Sequence, residues 1–153
     1  MNTRDIQCLS DTRFLRCSSF RSRAETRRYS MVHSYETLLV ITGGRMWWER
    51  GGDQYTATAG DVVHHPAHLP YVEWTCERTP VRGVIILFQW AGAPPVTLAP
   101  CTGDRTGTVR ALAARMVSAW GYSTDARIRG PRPTISMLFA GLLAEVVELN
   151  MER

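Results

Sequence analysis

The sequence predicts a mainly β protein, an antiparallel sandwich or barrel followed by two carboxy-terminal α-helices. Up to about residue 90, short alternating runs are separated by turn signals roughly every eight to twelve residues. The stretch 91–95, rich in proline and glycine, then breaks the periodicity. Beyond it, apolar residues recur with the period of a helix. We therefore predict one structural domain, with a β-barrel over residues 1–90, a linker over 91–107 and a helical segment over 108–153 packed on the barrel.

The length and composition suit a single globular domain. The chain has 153 residues, of which 44% are hydrophobic and 21% charged, a composition that excludes disorder and coiled coils. All 18 basic residues are arginine, which is typical of a GC-rich bacterial genome. The first residues do not resemble a signal peptide, and no unbroken apolar run approaches the roughly 20 residues of a membrane span. We expect a cytoplasmic protein without membrane association, whose four cysteines are reduced.

The predicted strands lie between turn residues. Their ranges are 35–42, 45–49, 54–59, 62–65, 71–76 and 81–90. Gly51 and Gly52 predict a tight hairpin turn between the second and third strands. Alternation in the second strand places Met46 and Trp48 toward the core. The last strand is apolar on both faces, as expected for a strand covered by two layers.

The two helices are predicted from apolar stripes. In the first, Thr108 is the candidate N-cap, Gly121 follows the end, and the stripe comprises Val109, Leu112, Ala113, Met116, Val117 and Trp120. Thr134 is the candidate N-cap of the second helix, whose main face comprises Ile135, Leu138, Phe139, Leu142, Val146 and Leu149. Its other side is apolar too, with Met137, Leu143, Ala144 and Val147. A helix that is apolar nearly all round needs cover on two sides, so we predict a homodimer formed through these helices.

Two segments carry a family resemblance. Glu36 lies seven residues before Gly43, and Gly60 is followed by Pro66 and Tyr71; these spacings resemble the two cupin motifs over roughly residues 13–90. The order of barrel, linker and two helices is similar to the amino-terminal ligand-binding and dimerisation domain of AraC-type transcription regulators. The resemblance implies a jelly-roll barrel that binds a small-molecule effector.

The chain departs from the metal-binding cupins, which have a His-x-His pair, a glutamate and a final histidine. Glu36 is present, but His33 is too close to it, and Tyr71 stands where the final histidine would be. A phenol that keeps its proton to about pH 10 is a poor metal ligand. We therefore expect neither a metal nor another cofactor, and no catalytic residues.

The resemblance also implies which residues line a pocket. Glu36 and Tyr71 are expected to point inward and face each other, with Leu38 and Val40 beside Glu36. The predicted ligand-binding residues are Arg28, His33, Glu36, Trp48, Tyr71 and Glu73. Arg28 is expected at the barrel mouth, where its guanidinium would bind an anionic or hydroxylated ligand. The alternatives are that Trp48 fills the core and that Arg28 and Glu36 form a structural ion pair.

Two other functional classes stay open. A small metal-dependent cupin enzyme, an isomerase or dioxygenase, would use His33, Glu36 and one of His64, His65 or His68. Of these, His64 and His65 are adjacent on a strand and therefore point to opposite faces. A purely structural dimerisation domain would have a barrel filled by side chains.

The basic residues favour no specific contact with DNA. Residues 1–28 contain seven arginines and three carboxylates, so this segment could meet phosphate through charge alone. Helix-turn-helix units of the kind that follow an AraC-type sensor domain are not expected in the few residues after Leu149. We therefore expect no sequence-specific DNA binding by this chain alone.

Overall fold

A computed structural model describes residues 7–9, 11–22, 27–76, 78–94, 96–121 and 133–151. These residues form nine strands followed by two long helices. The strands are β1 (Arg13–Arg21), β2 (Tyr29–Met31), β3 (Glu36–Gly43), β4 (Arg45–Arg50), β5 (Asp53–Thr58), β6 (Asp61–His65), β7 (Tyr71–Thr75), β8 (Arg82–Gln89) and β9 (Cys101–Gly103). The helices are α1 (Thr108–Gly121) and α2 (Pro133–Met151).

The strands form two antiparallel sheets packed face to face. The five-stranded sheet has the order β1-β8-β3-β6-β9, and the four-stranded sheet has the order β2-β7-β4-β5. Both helices cover the outer face of the five-stranded sheet. This is the predicted jelly-roll cupin fold with two carboxy-terminal helices, although the two sheets do not close into a barrel.

Each face of the five-stranded sheet has its own core because side chains alternate along its strands. Leu39, Ile41 and Val63 pack between the sheets against the predicted core residues Met46 and Trp48. On the other face, a larger cluster joins Leu38, Val40, Val62, Ile86 and Phe88 to the apolar sides of α1 and α2. Burying a large apolar side chain stabilises the fold by about 1.5–3 kcal/mol. The predicted two-sided burial of β8 is confirmed.

The hairpin between β4 and β5 has the predicted turn. Arg50 pairs with Asp53, so the loop consists of Gly51 and Gly52 alone. Their φ angles are 61° and 91°, which L-residues adopt at a cost and glycine adopts freely. The turn fixes the register that places Trp48 opposite Tyr55.

Helix α1 starts at Thr108 as predicted, but its N-cap differs. The carboxylate of Asp104 accepts hydrogen bonds from the backbone N–H groups of Val109, at 3.4 Å, and Arg110, at 2.9 Å. Asp104 therefore satisfies the free N–H groups of the first turn. Helix α2 starts at Pro133, one residue before the predicted cap Thr134.

Helix α2 is covered within this chain on more of its surface than we predicted. Leu143 and Val147, expected to face a partner, are 0% and 1% exposed. The prediction that this face needs a partner chain is therefore wrong, because the five-stranded sheet and α1 bury both sides. The helix is long and apolar enough to cross a membrane by length and composition, with a mean hydropathy of 1.4. Seven of its side chains are buried inside the domain, and 33% of the 18-residue stretch with this hydropathy is buried.

Three strands were not predicted. They are β1, β2 and β9, and β9 lies in the middle of the predicted linker, where Cys101 pairs with Val63 of β6. Among the described residues all four cysteines are free thiols, and burial raises the pKa of Cys17 to about 11. Part of the arginine-rich segment 1–28, namely residues 1–6, 10 and 23–26, lies outside the described residues.

Candidate functional site

Polar and aromatic side chains meet between the two sheets. We call Trp48, His65, Tyr71 and Glu73 the inner cluster. The His65 ring stacks on Tyr71 with centroids 3.7 Å apart, and Trp48 meets His65 edge to face at 5.8 Å. Trp48 of β4 pairs with Glu73 of β7, so both side chains share the inward face of the four-stranded sheet. The predicted residues Trp48, Tyr71 and Glu73 are thus brought together.

The inner cluster contains buried polar atoms without partners. Trp48 is 0% exposed and His65 1%, yet Trp48 Nε1 and both ring nitrogens of His65 have no hydrogen-bond partner among the described residues. Thr37 of β3 pairs with His65 of β6. The Thr37 hydroxyl has no hydrogen-bond partner among the described residues either. Buried polar atoms are nearly always hydrogen-bonded, and an unpaired one costs about 1–3 kcal/mol. These atoms present donors and acceptors that a water or a ligand would satisfy.

Burial shifts the pKa values of the titratable groups of the inner cluster toward their neutral forms. Desolvation, with smaller contributions from His64, Arg50 and His33, lowers the pKa of His65 to about 3. Burial raises the pKa of Glu73 and that of Tyr71. At neutral pH the His65 imidazole is therefore uncharged, with one nitrogen as a donor and the other as an acceptor.

His33 lies beside the inner cluster and interacts with Tyr71. Its Nε2 is 3.1 Å from the Tyr71 hydroxyl, and its ring stacks on Tyr35 with centroids 5.1 Å apart. The backbone carbonyl of His33 accepts a 2.7 Å hydrogen bond from the N–H of His68. The contact with His33 therefore gives the buried Tyr71 hydroxyl a hydrogen-bond partner.

Glu36 faces the other side of the five-stranded sheet. Its Oε2 is 2.7 Å from Nε2 of His64, and its Oε1 accepts a 3.3 Å hydrogen bond from the N–H of Ala67. His64 pairs with Leu38, which belongs to the core beneath the helices. The prediction that Glu36 and Tyr71 face each other is therefore wrong, as is the inward placement of Leu38 and Val40. Alternation along β3 gives the inward face to Thr37 and Leu39 instead.

Arg28 is also remote from the inner cluster. Its guanidinium lies 4.2 Å from the centroid of the Trp74 ring and 3.5 Å from a carboxylate oxygen of Glu49. Both partners are on the outer face of the four-stranded sheet, because they alternate with Glu73 and Trp48. The predicted position at the barrel mouth is wrong, and the alternative Arg28–Glu36 ion pair is not formed.

The sequence analysis missed His65, Thr37 and Arg50 as parts of the site. Arg50 donates a 3.2 Å hydrogen bond to the carbonyl oxygen of His64 and is a charged neighbour of His65. Alternation would have found it, since Arg50 follows Trp48 by two residues on β4. His65 was identified as one of two opposed histidines, but no sequence signal showed which of them faces the sheet interior.

The described residues do not fit the metal site of the metal-binding cupins. Glu36 is close to His64, whereas His33 interacts with Tyr71. Glu36 and Tyr71, at the positions of two family ligands, are on opposite sides of the five-stranded sheet. Within the described ranges no group of three or more His, Cys, Asp or Glu side chains is placed to hold an ion.

Comparison with known proteins finds only distant structural similarities. No protein-family model and no curated protein matches the sequence. A EutQ protein from Clostridium difficile is similar with a TM-score of 0.41 and 11% identity, over 51% of this chain and 66% of that one. A cupin-superfamily protein from Desulfitobacterium hafniense DCB-2 has a TM-score of 0.43 and 17% identity, over 50% and 68%. A DUF861-family protein from Thermotoga maritima has a TM-score of 0.42 and 19% identity, over 57% and 93%.

These similarities concern the fold alone, since every identity is below 20%. This chain spans 55% to 66% of the lengths of the EutQ and cupin-2 structures that it matches.

Proposed function

We propose that this chain is the small-molecule-sensing and dimerisation domain of an AraC-type transcription regulator, and that the inner cluster binds the effector. The observation that carries the proposal is the set of nitrogens on Trp48 and His65 that are buried between the sheets and have no hydrogen-bond partner among the described residues. A ligand that pairs with them removes their desolvation cost, so binding is favoured by groups that the ligand-free protein leaves unsatisfied. The order of sheets, linker and two helices supports the regulator assignment.

The chemistry of the inner cluster favours a small, uncharged, polar ligand. The Trp48 N–H is a donor, neutral His65 supplies one donor and one acceptor, and Thr37 supplies both. His65 is neutral at pH 7 because burial lowers its pKa to about 3, so it provides no fixed positive charge, and burial raises the pKa of Glu73. The stacked rings of Tyr71 and His65 provide an apolar wall, as small-molecule sites commonly do.

Strands β3 and β6 connect the inner cluster to the helices. Thr37 and His65 face the sheet interior, whereas their neighbours Leu38 and His64 face the opposite side, where the helices pack. A ligand that shifts β6 therefore also moves the side chains beneath α1 and α2. The exposed part of α2, which includes Met137 at 75% exposure, is the surface through which we propose that two copies associate.

A thermal-shift screen of uncharged polyols, amides and heterocycles tests the effector site. For a compound that stabilises the protein, Trp48→Phe is expected to weaken binding roughly tenfold in calorimetry, since a buried hydrogen bond is lost. Trp74→Phe, on the outer face of the same sheet, is the matched control and should bind as the wild type does. Equal weakening by both variants, or none by Trp48→Phe, would contradict the inner site.

Two further measurements separate this proposal from the other functional classes. Light scattering is expected to show a dimer, and a stable monomer at all concentrations would contradict the dimerisation role. Elemental analysis separates the sensor from a metal-dependent enzyme. Near-stoichiometric iron, manganese, nickel or zinc that is lost in the Glu36→Gln variant would contradict the sensor assignment and favour a metal-dependent enzyme.

A further inference from the structure

The outer face of the four-stranded sheet carries a groove that the proposed function does not use. We call it the outer groove; its volume is about 510 Å³, and its lining residues are Gly44, Arg45, Trp47, Thr58, Cys76, Arg78 and Thr79. Trp47 alternates with Trp48 along β4, so the two indoles point to opposite faces of the sheet. The outer groove and the inner cluster are therefore separate sites.

Aromatic rings form one side of this surface. Trp47 of β4 lies directly opposite Trp74 of β7 in the register of the sheet, and both are half-buried. The Arg28 guanidinium already covers the Trp74 ring. Trp47 is the indole that lines the outer groove, where its ring supplies apolar area for a flat molecule.

Positive charge lies at the same place. Arg45 and Arg78 line the outer groove and are exposed, and neither forms an ion pair with any residue in the described part of the chain. Asp61, near the groove residue Thr58, accepts hydrogen bonds from the N–H and hydroxyl of Thr58. By contrast, Arg28 is paired with Glu49. Among the described residues, the two guanidinium groups beside the indole therefore have no ion-pair partner.

We propose that the outer groove binds a small aromatic carboxylate. The ring would lie against Trp47, and the carboxylate would accept hydrogen bonds from Arg45 and Arg78. Guanidinium groups bind carboxylates with two parallel hydrogen bonds and stack on aromatic rings. The volume of about 510 Å³ is within the range of small-molecule sites. The combination of an apolar ring wall and two guanidinium groups selects this ligand over a neutral or cationic one.

Calorimetry with 2-naphthoate tests the proposal, with 2-naphthalenemethanol as the neutral counterpart of the same shape. We expect one naphthoate per chain and binding of the alcohol at least roughly tenfold weaker, since a charge-assisted hydrogen bond is lost. Arg45→Gln and Arg78→Gln should each weaken naphthoate roughly tenfold. Arg105→Gln removes an exposed arginine on the turn before α1 and should leave the affinity unchanged. Trp48→Phe should leave it unchanged too, which distinguishes this site from the inner cluster.

Several outcomes would overturn the proposal. No binding of naphthoate at millimolar concentration would do so, as would equal affinity for the alcohol. An affinity that survives both arginine variants but falls in Trp48→Phe would place the ligand in the inner cluster. If Arg45→Gln instead changes the oligomeric state in light scattering, the outer groove is covered by a second copy of the chain, and the ligand site does not exist.

Discussion

Replacing His65 by phenylalanine tests whether this imidazole is neutral and unpartnered in the folded protein. The side chain is 1% exposed, and burial lowers its pKa from 6.5 to about 3. Between these two values the unfolded chain binds a proton that the folded chain does not bind. The wild type should therefore lose stability as the pH falls below 6.5, by about 1.4 kcal/mol per pH unit. From pH 6.5 to pH 5 the loss amounts to about 2 kcal/mol.

Phenylalanine keeps the stacking on Tyr71 and cannot titrate. Urea unfolding of the wild type and His65→Phe at pH 7.5, 6.5 and 5 measures the difference in free energy of unfolding. We expect the difference to shift by about 2 kcal/mol in favour of the variant between pH 7.5 and pH 5. The raised pKa of Glu73 acts in the opposite direction, because it costs stability as the pH rises above the ordinary value of 4.5. This effect is present in both proteins and cancels in the difference.

The matched control is His68→Asn, which removes an exposed histidine whose φ of 62° asparagine tolerates. The difference between wild type and His65→Phe should depend on pH, and the difference for the control should depend on it much less. A pH-independent difference for His65→Phe, or one that shifts toward the wild type at low pH, would refute the reasoning. It would mean that the imidazole is hydrated or hydrogen-bonded in the folded state.

The remaining predictions concern the helices, the inner cluster and DNA. Leu143→Glu should unfold the domain or destabilise it by several kcal/mol in chemical denaturation. The Leu143 side chain is 0% exposed, so the variant would hold a buried, unpaired carboxylate. A folded monomer would instead show that this side chain faces a partner chain. Asp104→Ala should cost about 1 kcal/mol by loss of the α1 N-cap, whereas Thr108→Ala should cost less in the same assay, and the reverse order would restore Thr108 as the cap. Tyr71→Phe should cost about 1 kcal/mol in urea unfolding, because the hydrogen bond to His33 is lost, and an unchanged stability would contradict that contact. Fluorescence anisotropy should show no sequence-specific binding of duplex DNA, since α1 and α2 both pack against the five-stranded sheet, and nanomolar specific binding would contradict this expectation.

Local signals in the sequence predicted most of the fold. Gly51 and Gly52 predicted the hairpin turn because glycine adopts positive φ angles easily. The alternation of side chains along the neighbouring strand placed Met46 and Trp48 correctly in the core. The start of α1 followed from the apolar stripe. In contrast, β9 has three residues, too few to show a period, and its pairing with β6 depends on a distant part of the chain.

The site was predicted less well because a family resemblance was used to assign faces. The motif placed Glu36 inward, but the pairing of β3 with β6 puts Glu36 with His64 under the helices. Which of two adjacent histidines faces the sheet interior depends on strand pairing and not on local sequence. Helix α2 is apolar on nearly all sides. This pattern does not indicate whether a sheet of the same chain or a second chain covers the helix.

A crystal structure of the protein purified under native conditions from a bacterial host tests the central claim most directly. We expect electron density for a small non-protein molecule between the sheets, within hydrogen-bond distance of Trp48 Nε1 and a ring nitrogen of His65. Trp48 and His65 hydrogen-bonded to protein atoms, with side chains filling the space between the sheets, would contradict it. In that case the cupin fold of this chain would be a structural scaffold and not a sensor.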